Sequence, residues 1–326
     1  MKICVYGAGA VGGHFAAQLA AAGHDVAVVA RGAHLAAMRA GGLTLLKGER
    51  RIAGTVRASD RPGELGAVDC VLVTLKATGL AALAEGVAPL LGKDTAVVFV
   101  QNGIPWWYAQ GLSSARPRPP DLSALDPGGA LARAVAPERI VGAVAYSANE
   151  VVAPGVVRNN APLRNVLVLG EPDGRDSARL RGLAAALAAA EIDAPVETDI
   201  RRSIWAKLLL NVGSSSLGVI TGETVKDSMA DPAIAALRAR ITEEARAIAR
   251  AHGVEPEDAP LPPPHSSGGP SHKTSMLQDY ERGRPLEIDA ILMAPLWFAR
   301  AAGVPAPSLE AVAALAAHKA KKGDSP

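Results

Sequence analysis

The sequence predicts two domains: a doubly wound α/β domain on a parallel sheet over residues 1–198, and an all-helical domain over residues 199–326. Three observations carry this expectation. Apolar runs alternate with helix-forming stretches up to residue 198. Those runs are continuous rather than alternating, as in strands covered on both faces. From Asp199 onward the pattern turns helical and strand-like runs become few.

The elements follow in chain order. Residues 3–6 form a short apolar run, residues 12–22 are helix-forming, and Gly23 marks a stop. A second run over 26–30 ends at Arg31, which completes a βαβ unit within about 30 residues. VDCVLVTLKA (68–77) and TAVVFVQNG (95–103) read as buried strands, and the Pro, Gly and Ser of 111–129 as a surface loop. IVGAVAYSANEVVAPGVVRN predicts two strands meeting near Pro154-Gly155, and NVLVLG one more. A helix over 177–190 and a short strand over 194–198 complete the first domain. Helices are expected over 199–217, 231–252, 272–301 and 308–321, with a Pro- and Gly-rich loop at 255–271.

Composition narrows the function. With 34 basic and 32 acidic side chains the net charge is +2, which gives no support for a nucleic-acid groove or a membrane-binding face. A small-molecule partner is expected instead. Cys4 and Cys70 lie in apolar strand-like runs without CxxC or metal spacing, so they read as buried thiols in a reducing, cytoplasmic setting. No signal peptide and no membrane span is read from the sequence. The seven histidines show no HExxH spacing, so no metal site is expected. His14 reads as a surface or partly buried side chain of the first helix.

The chemistry begins at GAGAVG, residues 7–12. Gly7 follows a strand directly, Gly9 lies where backbone must approach a pyrophosphate, and Gly12 opens a helix whose N-terminal amides can hold an anion. Gly7, Ala8, Gly9, Ala10, Val11 and Gly12 are thus candidate dinucleotide-binding residues, the alternative being small residues that merely pack a strand-to-helix junction. At the end of the second strand an acidic residue would select NAD, and a basic one NADP. VVARGAH places Arg31 there, which favours NADP over a solvated arginine capping the strand.

Ligand sites in such sheets lie at the carboxyl ends of the strands, where the next candidates are Lys76 and Asn102. Taken alone they could be polar residues at loop entrances. In the helical half, IWAKLLLN sets Lys207 and Asn211 one turn apart on a strongly apolar helix. A lysine buried on such a face needs a partner. SMLQDYERGRPLEID supplies Ser275, Asp279 and Glu287. Hydride addition to a carbonyl requires a proton for the oxygen, which an ammonium can both stabilise and protonate while a carboxylate holds it charged.

GAGAVG, LVTLKA, QNG, WAKLLLN and SMLQDYERGRPLEID, in this order and over nearly the full length, resemble the ketopantoate reductase family. The resemblance implies a Rossmann-type N-terminal domain, a helical C-terminal domain, and NADPH-dependent reduction of 2-dehydropantoate, a 2-oxo acid, to pantoate. By motif, Lys207 matches the proton donor and Glu287 the carboxylate at the lysine. Asn211 and Ser275 match substrate-binding groups, Asn102 a residue shared by cofactor and substrate, Lys76 one facing the cofactor, and Ser147 one whose backbone touches it. A homodimer through the helical half is implied as well.

One substrate-helix position departs from the family, which has a second Asn where this chain has Ser215. A hydroxyl reaches less far than a carboxamide, so a wider pocket and a different oxo acid or an imine are the nearest rival reading. Trp106 and Trp107, expected next to the cleft, and the long loops at 111–129 and 255–271 point the same way, and the three serines of VGSSSLG are expected to weaken the helix. A non-catalytic NADP(H)-binding protein is the rival from another class, and Lys207 with Glu287 argues against it.

Overall fold

The computed structural model describes residues 1–162, 165–256 and 273–323. By its contacts the chain forms two compact units. The first comprises Met1–Gln101 and Gly129–Ile200, and the second Asn102–Gly128 together with the described residues from Arg201 onward. The division therefore falls two residues after the expected 198, and residues 102–128, expected with the sheet, pack among the helices.

In the first unit β1 (Lys2–Tyr6), α1 (Ala10–Ala21) and β2 (Asp25–Val29) form the expected βαβ unit, followed by α2 (Gly32–Gly41). Then come β3 (Leu43–Lys47), β4 (Arg50–Gly54), β5 (Arg57–Ser59), β6 (Val68–Val73), α3 (Ala81–Gly86) and β7 (Leu91–Val100). After α4 (Ala130–Ala134) follow β8 (Ile140–Tyr146), β9 (Asn149–Ala153), β10 (Val156–Asn159), β11 (Val166–Gly170) and α5 (Ala178–Ala189). The seven-stranded sheet runs β11-β8-β7-β6-β1-β2-β5. All its pairings are parallel except β11 on β8.

The sequence does not predict β3, β4 or β5. β3 and β4 join β9 and β10 in a second sheet, β4-β3-β10-β9, against which α1 packs. The short strand expected at 194–198 reduces to two isolated bridges, Val166 with Asp193 and Leu169 with Val196.

A buried polar chain runs under α1. His14 is fully buried, which corrects the expected surface position. Its Nε2 lies 2.6 Å from Asn165 Oδ1, and Asn159 Nδ2 approaches its Nδ1 at 3.5 Å. Gln18 and Asn149 extend the chain at its two ends. The reason it is tolerated in the core is that each buried polar group meets a partner.

In the second unit α6 (Ile200–Thr221), α7 (Val225–Ala230) and α8 (Pro232–Ala251) are followed by α9 (Ser275–Glu281), α10 (Ala294–Ala302) and α11 (Pro307–Gly323). The loop expected at 255–271 lies outside the described residues from 257 on. The expected weakening does not end the helix: α6 runs through the serines to Thr221, with Ser214 and Ser216 Oγ donating to the carbonyls of Leu210 and Val212 four residues back at 2.6 and 2.8 Å. Trp106 and Trp107 are 8% and 2% exposed and belong to the core, not to a binding surface. Arg201, also buried, donates to the carbonyls of Tyr108 and Gln110, and Trp205 Nε1 donates to the Tyr108 hydroxyl.

The long helix expected over 272–301 is broken. Gly283, at φ 60°, ends the first segment, and Asp289–Met293 adopts a π turn before α10. Proline explains the π turn's open end. Ala294 N–H donates to Asp289 five residues back, but the next donor in that register would be Pro295, which has no N–H. The Ala290 carbonyl instead accepts from Ile104 N–H at 2.8 Å. Gly103, at φ 77°, makes the approach possible, since a Cβ there would lie 2.3 Å from the Ala290 oxygen.

Gly103→Ala should cost at least about 2 kcal/mol, because strain at positive φ adds to a backbone clash. Urea unfolding measures this, and an unchanged midpoint would refute the docking role. His14 gives a second expectation. Burial lowers its imidazole to about 4, aided by Lys47 and opposed by the hydrogen bond to Asn165. The unfolded value is about 6.5, so the His14 contribution is complete above that pH and is lost as pH falls toward 4. The loss is on the order of 3 kcal/mol. Wild type should therefore lose more stability than His14→Gln between pH 7 and pH 4.5, and equal losses would contradict the burial account.

Candidate active site

Parallel pairing brings the carboxyl ends of β1, β2, β6, β7 and β8 to one edge of the sheet, with Tyr6 opposite Val29 and Val73, and Val100 opposite Ala143. The strand order reverses between β1 and β6, where ligands bind in sheets of this kind. The glycine turn lies at this switch point. Gly7 has φ 104°, and Thr74, just past β6, donates its hydroxyl to the Gly7 carbonyl at 2.6 Å. A Cβ at Gly12 would stand 2.2 Å from that carbonyl and 2.3 Å from Thr74 Oγ1. Gly9 differs, for a Cβ there would meet nothing within 4 Å. Two glycines close the turn against protein, and the third faces open space.

This arrangement fits a dinucleotide. Gly9 caps α1, and the amides of Ala10, Val11 and Gly12 precede the first intrahelical donor, Gly13 N–H, which reaches Gly9 O at 2.8 Å. They lack acceptors by position and sit at the positive end of the helix. Ala8 is buried beneath them. Two residues past β2, Arg31 is exposed and makes no ion pair among the described residues. Lys76, exposed, begins the turn after β6 and has a partner, while half-buried Ser147 follows β8 and accepts from Asn149 Nδ2 at 2.8 Å. Asn102, also half-buried, lies two residues beyond β7 and is the first residue of the second unit.

Within the helical unit, Lys207, Asn211 and Ser215 occupy successive turns of one α6 face. Lys207 and Asn211 are half-buried, whereas Ser215 is 3% exposed. The start of α9 meets α6 at Gly218, whose Cβ would lie 3.0 Å from Thr274 Oγ1. That contact is about 10 Å along the axis from Asn211, at 1.5 Å per residue. Thr274 caps α9, and Ser275 beside it is exposed. Asp279, one turn on from Ser275, is buried at 4% exposure and lies 4.0 Å from Arg284. Glu287 is buried just before the π turn, and neither it nor Lys207 lacks a partner. Among the described residues no group of three or more His, Cys, Asp or Glu is placed to hold a metal.

Sequence reasoning overlooked the half-buried amide Asn149 and the buried amides Asn159 and Asn165, which back Ser147 and His14. No local signal marks them, since His14 and Asn165 are 151 residues apart.

Two family models match the chain, ketopantoate reductase PanE/ApbA over residues 3–110 and ketopantoate reductase PanE/ApbA C terminal over residues 199–320. A protein of Mesorhizobium japonicum named 2-dehydropantoate 2-reductase is 43% identical over 97% of this chain and 96% of its own. A solved putative ketopantoate reductase from Ralstonia solanacearum superposes with a TM-score of 0.85 at 35% identity, covering 99% of this chain and 98% of the other. A ternary structure of D-mandelate dehydrogenase with NADH and anilino(oxo)acetate shares the fold, with a TM-score of 0.81 at 21% identity over both full chains. A Rossmann-type sheet with this glycine turn, a helical unit carrying the lysine and asparagine of α6, and matches to both family models establish that the chain belongs to the ketopantoate reductase family.

Proposed function

We propose that the protein is an oxidoreductase that reduces 2-dehydropantoate to pantoate with NADPH. The observation that carries the reading is the half-buried pair Lys207 and Asn211 on successive turns of α6, among the buried Ile204, Trp205, Ala206, Leu208 and Val212. An ammonium kept on so apolar a helix face has a desolvation cost that structure alone does not require.

When bound, the nicotinamide cofactor supplies the hydride. The chain's own residues do the rest. The amides of Ala10, Val11 and Gly12 hold the pyrophosphate, and Arg31 takes the 2′-phosphate. Lys76 and Ser147 border the cofactor, and Asn102 contacts both it and the substrate. Asn211, Ser275 and Ser215 grip the substrate. Lys207 stabilises the developing alkoxide and protonates it, and Glu287 keeps the ammonium charged and oriented. The enzyme works as a homodimer in the cytoplasm. Burial pushes the free thiols of Cys4 and Cys70 up to about 12 and leaves them unreactive.

A second reading rests on Ser215, whose buried hydroxyl stands where the family has an amide. On it the enzyme reduces another 2-oxo acid with the same machinery.

Lys207→Ala should lower kcat about 10²-fold or more with little change in NADPH affinity, and an unchanged kcat would remove Lys207 from the mechanism. Arg31→Ala should collapse the preference for NADPH over NADH in kcat/KM. A preserved preference would place the 2′-phosphate elsewhere. Among a panel of 2-oxo acids, 2-dehydropantoate should give the highest kcat/KM, and a better substrate would favour the second reading.

A further inference from the structure

The buried polar chain beneath α1 has a fixed direction, and it ends at the candidate cofactor edge. At its far end Gln18 Nε2 donates to the Ala190 carbonyl at 3.1 Å, which turns Gln18 Oε1 toward Asn165. Asn165 Nδ2 then spends both hydrogens, on Gln18 Oε1 at 2.8 Å and on the Glu191 carbonyl at 2.7 Å. Its Oδ1 can only accept, so His14 carries its proton on Nε2 and presents a bare Nδ1. Asn159 is oriented independently, because its Oδ1 accepts from Ala161 N–H at 2.9 Å. Its Nδ2 therefore faces His14 Nδ1 and, at 3.0 Å, Asn149 Oδ1. Asn149 is left to donate, and its Nδ2 reaches Ser147 Oγ at 2.8 Å.

The backbone groups of residues 161, 190 and 191 thus decide the polarity of six side chains. With its oxygen already accepting, the Ser147 hydroxyl must send its own proton elsewhere. Ser147 directly follows β8, the third strand of the half-sheet β6-β7-β8, which in this fold serves the nicotinamide-side mononucleotide. We propose that Asn149, held by Asn159 and His14, is a positioning residue that turns the Ser147 hydroxyl into an obligate donor to an acceptor oxygen on the nicotinamide half of the cofactor. The inference rests on the nicotinamide-cofactor reading above.

Asn149→Asp tests it. The carboxylate keeps the size of the side chain and still accepts from Asn159, but it must also accept from Ser147, so the hydroxyl turns inward and its outward donor is lost. NADPH affinity is read by fluorescence titration and folding by thermal denaturation. Wild type should bind NADPH. Ser147→Ala and Asn149→Asp should each weaken binding about five- to tenfold, the range for one lost hydrogen bond to a charged or polar acceptor, with melting temperatures near that of wild type. In the Ser147→Ala background, Asn149→Asp should have no further effect. Asn149→Ala, which frees the hydroxyl without reversing it, should weaken binding less than Asn149→Asp. A loss from Asn149→Asp that persists undiminished without the Ser147 hydroxyl would reduce it to charge repulsion and overturn the proposal. Wild-type binding with no effect of Ser147→Ala would overturn this inference alone. Failure of wild type to bind NADPH or NADH would remove the cofactor reading as well.

Discussion

The space at Gly12 is the constraint on which the ligand edge depends. The first turn of α1 lies so close to the end of β1 that any side chain there would overlap the Gly7 carbonyl and the Thr74 hydroxyl. That closeness brings the amides of the first turn, which lack intrahelical acceptors, to the strand order's reversal. Thr74 closes the arrangement from the β6 side by holding the Gly7 carbonyl. A larger residue at Gly12 would push the first turn of α1 away from the end of β1. On the proposed reading, anion recognition would be a consequence of packing, with the open space at Gly9 left for the ligand.

A comparable logic operates in the helical unit, with proline in place of the missing side chain. Pro295 cannot satisfy the Ala290 carbonyl, so the π turn keeps an acceptor open, and the turn at Gly103 and Ile104 fills it. The same contact anchors the segment that begins with Asn102. Glu287 lies just before this π turn, and its carbonyl accepts from Ile291 N–H at 3.1 Å. On α6 the serine hydroxyls bond to carbonyls one turn back, and the helix carrying Lys207 and Asn211 continues unbroken to Thr221.

Much of this was legible from residues. The central strands announce themselves as unbroken apolar runs because both faces are covered, and the glycine turn because its spacing reflects contacts along one chain. β4 was not legible: RRIAG is largely exposed at the edge of the second sheet and carries no apolar period. The break after Glu281 was visible only in hindsight, for Gly283, Pro285 and Pro295 were present in the sequence while the apolar pattern argued for continuity. The candidate site divides in the same manner. Lys207 and Asn211 share a helix face and could be paired from spacing, whereas the amides behind Ser147 come together only when β9, β10 and α1 are packed. Trp106 and Trp107 misled because a large side chain beside a polar motif reads equally well as a binding wall or as core.

The central claim, that the N-terminus of α1 holds the cofactor's pyrophosphate, is tested most directly by amide hydrogen exchange with and without NADP⁺. The account predicts that the amides of Ala10, Val11 and Gly12, which lack intrahelical acceptors, exchange rapidly in the free protein and become strongly protected on saturation. Unchanged exchange at these three positions, with the nucleotide demonstrably bound, would contradict it.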